Sequence, residues 1–305
     1  VKNAFYGGVN PAVLTPMHDD LSPNLDVLAA RCRWLLANGC NGLAILGTTG
    51  EGNSLGLQER LDLLDGLAQR GIPGEKLLPG VGTTAVPDTV TLIRKAAEIG
   101  CRGVLVLPPF YYKNPSEDGL FAYFSELINK AGTSTSIYLY HIPAQSAVPF
   151  TLALVGRLLR AFPSVIRGIK DSSGDLANTL GYVQNFAKDG FEVYCGDDGA
   201  LHALLKAGGA GCITGASNVT GAVNAQVYAN VGTPAGDAAQ SLLSALRKVI
   251  AGVPLIPGLK ALVARQTGDA GWTNVRSPQV KLSTEEAEKL FVAFDACGAA
   301  PAKAA

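Results

Sequence analysis

A closed (β/α)8 barrel followed by a C-terminal helical extension is the fold this 305-residue sequence predicts, on three observations. Short runs of β-branched residues and leucine alternate with longer charged segments along the chain, the mark of βαβ units and a parallel sheet. The short runs number eight, with seven clear crossovers in about 220 residues, which suits a closed barrel better than an open doubly wound sheet. Beyond the eighth run lies more helix-patterned sequence than closing a barrel requires.

In chain order, strands are expected over 8–14, 42–46, 76–80, 103–107, 136–140, 165–169, 192–195 and 211–213. The first six crossovers carry helical patterns over 25–38, 57–70, 88–99, 117–131, 150–161 and 176–187. In each, apolar residues recur three and four apart, which gathers them on one helix face to cover the sheet. After the eighth strand come 224–231, 235–251, 257–265 and 283–296. Residues 1–232 are therefore read as the barrel and 233–305 as the extension packed on it, ending in a frayed alanine-rich tail over 299–305.

Composition narrows the function. With 48% apolar and 16% charged residues, the chain can bury enough surface to offset its conformational entropy, which excludes intrinsic disorder. Twenty-five basic and 25 acidic residues cancel, so no global field draws it to nucleic acid or to an anionic membrane. The longest uncharged stretch, 207–236, is filled with Gly, Ser, Thr and Asn and is not read as a membrane span. Six scattered cysteines without a CxxC pair read as buried thiols in a reducing compartment. With no apolar leader at 1–7, a cytoplasmic protein is expected.

In a parallel barrel the chemistry sits at the C-terminal ends of the strands. Lys170 ends the apolar sixth run, and period-2 alternation points it inward with Gly168 while Ile169 faces the helices. Desolvation there favours the neutral amine, a nucleophile toward carbonyls; the alternative is an ion-pairing lysine on the rim. Tyr140 ends the neighbouring run at the same height, either to shuttle protons beside that amine or to pack as an aromatic lid. Gly47-Thr48-Thr49-Gly50-Glu51-Gly52 follows the second strand, and its successive N–H groups can form a nest for a carboxylate or phosphate, unless it is a plain connecting loop.

Other features are set aside. Gly80-Val81-Gly82-Thr83-Thr84-Ala85 resembles a dinucleotide fingerprint, but no acidic residue stands about 20 positions on at a strand end. No two of His18, His141 and His202 stand at metal-ligand spacing, so no metal is expected. Asp197 and Asp198 precede a helix, where capping is the first reading and substrate contact the second.

Four motifs in order, Gly47-Thr48-Thr49-Gly50-Glu51, Pro109-Phe110-Tyr111-Tyr112, Tyr140-His141-Ile142-Pro143 and Gly168-Ile169-Lys170-Asp171-Ser172, resemble those of the class I pyruvate-dependent aldolases related to dihydrodipicolinate synthase and N-acetylneuraminate lyase. The likeness runs from about residue 5 to 298. It implies that Lys170 forms a Schiff base with a 2-oxo acid and that Tyr140 relays protons. Thr48 and Thr49 would hold the pyruvate carboxylate, with Ile213 near the pyruvoyl group and Ser172 near substrate hydroxyls. A tyrosine, Tyr112 or Tyr111, would cross a dimer interface within a homotetramer built from tight dimers. No organic cofactor is implied.

The departures bear on substrate. Gln145 stands where the synthases place an arginine for the aldehyde's carboxylate, so the charge-assisted contact is missing. The lyase branch carries an Asp-Glu pair after strand seven; here Asp198 is followed by Gly199. His141 replaces the usual asparagine, with no role read for it. The expectation is a lyase that cleaves a 2-keto-3-deoxy sugar acid or related compound to pyruvate and a neutral aldehyde. The alternatives on this scaffold are a dihydrodipicolinate synthase and a 2-oxo acid dehydratase or deaminase. A pyruvate-binding sensor is the non-enzyme alternative, and it would need neither Lys170 nor Tyr140.

Overall fold

The computed structural model describes residues 4–132 and 135–298, so the tail expected over 299–305 lies outside the described residues. Six regular strands, β1 (Gly8–Pro11), β2 (Gly103–Val106), β3 (Ser136–His141), β4 (Ile166–Asp171), β5 (Glu192–Cys195) and β6 (Gly211–Thr214), are all parallel and run in the order β1-β6-β5-β4-β3-β2. Between β1 and β2 the ring is closed by the segments expected as the second and third strands. Those two segments are not regular strands: they join through isolated parallel bridges, Ala12 to Ala44, Leu43 to Leu77 and Gly80 to Leu105. The physical reason is local. Pro79 has no N–H to donate, and Leu46 turns into the left-handed region at φ 57, which cuts the ladder short. The result is a (β/α)8 barrel with six regular strands and two bridging segments.

The helices begin where capping groups stand. Asn24 accepts the Val27 N–H to start α1 (Leu25–Ala37), and Glu59 reaches back to the Gly56 N–H at α2 (Leu57–Gln69). Pro87 lies in the first turn of α3 (Val86–Glu98), while α4 (Glu117–Ala131) is capped by Ser116 and closed by left-handed Gly132. A single turn, α5 (Pro143–Ser146), precedes α6 (Leu152–Ala161), capped by Thr151, and α7 (Leu176–Phe186), capped by Asp175. The seventh crossover is the short α8 (Leu201–Lys206).

After β6 comes α9 (Ser217–Ala229), which begins seven residues before the expected 224. Its first turns hold Ser, Asn and Thr, poor helix formers that bond inward here. Ser217 and Thr214 hydroxyls lie 2.5 Å apart, and the Asn218 amide donates to the Ala12 carbonyl at 2.8 Å. The extension is α10 (Pro234–Ile250), α11 (Leu255–Thr267) and α12 (Thr284–Ala296), the last opened by a Ser283–Glu286 capping box.

Burial separates three apolar regions. The largest fills the layer between strands and helices, and includes Leu139 and Ile169. A second fills the barrel with Tyr6, Leu105, Tyr138, Tyr140, Tyr194 and Ile213. The third joins Leu14 and Ala216 to Ile256, Leu259, Trp272 and Leu290 of the C-terminal segment. At the barrel base Glu192 is fully buried and accepts from the hydroxyls of Tyr138 and Tyr194, Arg167 Nε and the Phe5 N–H. Five cysteines are buried, with Cys297 partly exposed, and burial pushes Cys32, Cys40 and Cys101 up to about 12. No single helix of the described residues is long and apolar enough to cross a membrane.

Candidate active site

Strands β3 and β4 pair with Tyr140 opposite Lys170, so alternation sends both side chains into the barrel mouth while Leu139 and Ile169 face the helices. The two residues are 4% and 5% exposed, and Lys170 Nζ stands 4.1 Å from the centre of the Tyr140 ring. Gly168 makes room beneath, since a Cβ there would meet the Tyr138 ring at 2.8 Å. The Tyr140 and Thr48 hydroxyls lie 3.3 Å apart. Burial pushes the Tyr140 phenol up, but the Lys170 charge and hydrogen bonds with Thr48, Lys170 and Ser172 outweigh it and hold the group below the usual phenol value. An amine beside an acidified phenol, both shielded from water, can attack a carbonyl and pass protons.

The 47–52 loop closes on itself, the Glu51 N–H donating to the Thr48 carbonyl at 3.1 Å and the Gly52 N–H to the Gly47 carbonyl at 3.0 Å. Neither bond uses the N–H of Thr48 or Thr49. Thr49 is buried against Gly215, where an added Cβ would sit 3.0 Å from Oγ1, so glycine admits the loop close to the turn after β6. Leu46, Gly47, Thr48, Asn53, Leu107 and Tyr140 line a small cleft beside this loop. Gly80 and Gly82 also border it; they serve close backbone approach, with a Cβ on Gly82 only 2.5 Å from the Leu107 nitrogen.

The remaining sequence-derived residues fall at different distances from this centre. Ile213 is fully buried in the same interior cluster as Tyr140, and Ser172 packs on Gly196, whose missing side chain leaves the space that Ser172 Oγ occupies. Gln145 is exposed on α5. Asp197 caps the turn at 198–200, as the first reading expects. Asp198 is turned into the wall, accepting from Thr214 at 2.7 Å and Asn224 at 2.6 Å, and burial raises its carboxyl despite those donors. Tyr111 and Tyr112 stack edge to face at 5.3 Å and are 71% and 77% exposed. No three His, Cys, Asp or Glu of the described residues gather as a metal site.

Two features escape the sequence reading. His141 points outward from β3, its Nδ1 3.0 Å from Asp171, packed edge-on to Phe150 and Tyr182. Asp171 also accepts from Thr179, Asn178 and the Ser173 N–H, and although burial pushes its carboxyl up, these bonds hold it below the usual range. This cluster ties β3 to β4 directly behind the Tyr140–Lys170 pair. The second is Lys260 on α11, fully buried, its Nζ 2.5 Å from Glu51. A lone charge in the apolar run of α11 is the signal that could have found it.

Comparison with known proteins gives a consistent result. The model of the Dihydrodipicolinate synthetase family matches residues 5–296. The chain is similar to an uncharacterised DapA-like lyase of Chloroflexus aurantiacus, 34% identical over 94% of this chain and 96% of the relative. In structure it resembles dihydrodipicolinate synthase from Agrobacterium tumefaciens, with a TM-score of 0.84 at 34% identity, covering 95% of this chain and 99% of that one. It also resembles YagE, a prophage protein of the dihydrodipicolinic acid synthase family from E. coli seen in complex with pyruvate, with a TM-score of 0.88 at 26% identity over 97% and 99% of the two chains. A match running almost from end to end, on a barrel whose mouth presents a buried amine beside a phenol, leads to one conclusion: the chain belongs to the dihydrodipicolinate synthetase family, whose members are lyases of the class I aldolase type.

Proposed function

We propose that this enzyme cleaves a 2-keto-3-deoxy sugar acid or related 2-oxo acid to pyruvate and a neutral aldehyde through a Schiff base on Lys170. The observation that carries the reading is the Lys170 amine 4.1 Å over the Tyr140 ring, with the Thr48 hydroxyl 3.3 Å from the phenol. The amine adds to the C2 carbonyl and water leaves, giving a protonated imine. Tyr140 then takes the proton of the C4 hydroxyl; the electron pair of the broken O–H bond becomes the carbonyl π bond of the aldehyde while the C3–C4 pair moves into the iminium, leaving an enamine. Protonation at C3 and addition of water at C2 release pyruvate and the free amine. The N–H groups of Thr48 and Thr49 receive the carboxylate, and Ile213 packs by the pyruvoyl methyl.

The aldehyde is read as neutral because Gln145 stands where a carboxylate-bearing partner would need a cation. Ser172, partly exposed near the phenol, suits a hydroxylated tail. Exposed Tyr111 and Tyr112 support assembly into dimers, paired as a homotetramer, in which one tyrosine enters the partner's site. Free thiols suit a reducing cytoplasm.

Incubation with pyruvate and borohydride should add one reduced pyruvoyl group per chain, and peptide mapping should find it at Lys170. Labelling at another lysine sinks the mechanism. A second reading, 4-hydroxy-tetrahydrodipicolinate synthase, is favoured by relatives of that name, such as the Bacillus subtilis protein at 30% identity. Turnover of 2-keto-3-deoxy acids compared with pyruvate plus aspartate semialdehyde separates the two. The neutral-aldehyde reading expects aspartate semialdehyde to be about a hundredfold poorer in kcat/KM. A preference for it transfers the assignment to the synthase.

A further inference from the structure

The loop carrying Thr48 and Thr49 is gripped from outside the barrel. Glu51, at its end, has a left-handed backbone at φ 56 and a carboxylate-bearing side chain that is 1% exposed. Its Oε1 lies 2.5 Å from Lys260 Nζ on α11, and its Oε2 accepts the Arg276 N–H at 2.9 Å. Lys260 also donates to the Asn274 carbonyl at 2.6 Å. The Arg276 guanidinium holds the next turn of the same segment, donating to the Ser54 carbonyl and to the Glu59 carboxylate, both at 2.8 Å. Glu51 thus joins the end of this loop to the C-terminal segment at two points, three residues beyond Thr48.

A fully buried ion pair is a weak source of stability, because desolvating both charges cancels most of their attraction and an apolar pair of like volume does as well. What such a pair supplies instead is a fixed distance between two elements. Lys260 is the one charged residue among the buried positions of α11, which otherwise carry Ile256, Leu259, Leu262 and Val263.

We propose that Glu51 and Lys260 are positioning residues: their contact sets the backbone at Thr48 and Thr49 so that the N–H groups fit a substrate carboxylate, and the C-terminal extension thereby governs carboxylate affinity. The inference rests on the reading of this loop as the carboxylate seat. Its test compares pyruvate with methyl pyruvate, the same ketone without the negative charge, by the concentration dependence of borohydride trapping at Lys170. The variant is Glu51→Gln with Lys260→Met, which removes both charges and strands neither. Half-saturation by pyruvate should rise about tenfold, with the trapping rate at saturation and the value for methyl pyruvate little changed. Lys260→Arg, which keeps the cation, should preserve most of the preference for pyruvate.

Unchanged pyruvate affinity in the double variant, or equal losses for both ketones, overturns the proposal. If the double variant does not fold, hydrogen exchange on the wild-type protein decides. Pyruvate should then slow exchange at 47–54 and also at 260–276, whereas protection confined to the loop refutes the coupling. Failure of the wild-type protein to trap pyruvate at all is a different result: it removes the lyase reading itself, and this inference with it.

Discussion

Lys170 and Tyr140 occupy paired positions at the ends of β4 and β3, so backbone register alone brings amine and phenol together. In the proposed mechanism their chemistry depends on a third residue. The Thr48 hydroxyl is one of the groups that hold the Tyr140 phenol below its usual value against the upward push of burial. In Thr48→Val that hydrogen bond is lost, burial gains weight and the ionisation moves up. Less phenolate is then present at neutral pH, so the acidic limb of the kcat/KM profile should shift to higher pH, with kcat at pH 7 reduced about tenfold or more. A pH–rate profile that keeps its acidic limb would remove Thr48 from the relay. His141 works at one remove: it and Asp171 pair in the same β3–β4 register one step along, on the opposite face, bracing the strand ends from behind.

At the level of elements, the C-terminal segment grips α2 through Arg276 and Glu59 as well as the loop through Glu51. The Arg276 hydrogen bond holds the Glu59 carboxyl down to about 2 from an ordinary 4.5. A depressed folded-state value means that the contribution is complete above the unfolded value and is lost as pH falls through the folded one. The pair should therefore stabilise the protein fully above about pH 5 and fail progressively toward pH 2, an effect reduced by solvent because Glu59 is 37% exposed. Urea midpoints measured across that window should fall with pH in the wild-type protein and fall less in Glu59→Gln; equal slopes would show that the pair adds nothing.

The sequence reveals such elements unevenly. Apolar runs and caps reveal β3, β4 and most helices, because burial and unpaired backbone groups leave local marks. The 42–46 and 76–80 segments carry the same marks, yet Pro79 and the left-handed Leu46 reduce them to bridges. The start of α9 hides in Ser, Asn and Thr, whose inward hydrogen bonds are tertiary. Lys170 and Tyr140 are legible because they end apolar strands. Lys260 stands out only as a charge in an apolar run, and its partner, like that of Arg276, cannot be read because it stands more than 200 residues away.

For the whole molecule, Tyr111 and Tyr112 leave a large aromatic pair in water, a poor arrangement for an isolated chain and a good one for an interface. Sedimentation should find a tetramer that dissociates on dilution more readily when both tyrosines are replaced by alanine, with kcat falling more than tenfold for the dispersed form. A fully active monomer would separate catalysis from assembly. The thiols lead elsewhere. On the proposed Lys170 mechanism the nucleophile is nitrogen, and the five interior sulfurs are dry, with burial favouring the protonated thiol, so oxidants find little to attack. Peroxide that silences thiolate enzymes should meet first Cys297, just past the end of α12, and a sulfenic acid formed there leaves the barrel mouth untouched, so turnover by the proposed mechanism should outlast an oxidative burst.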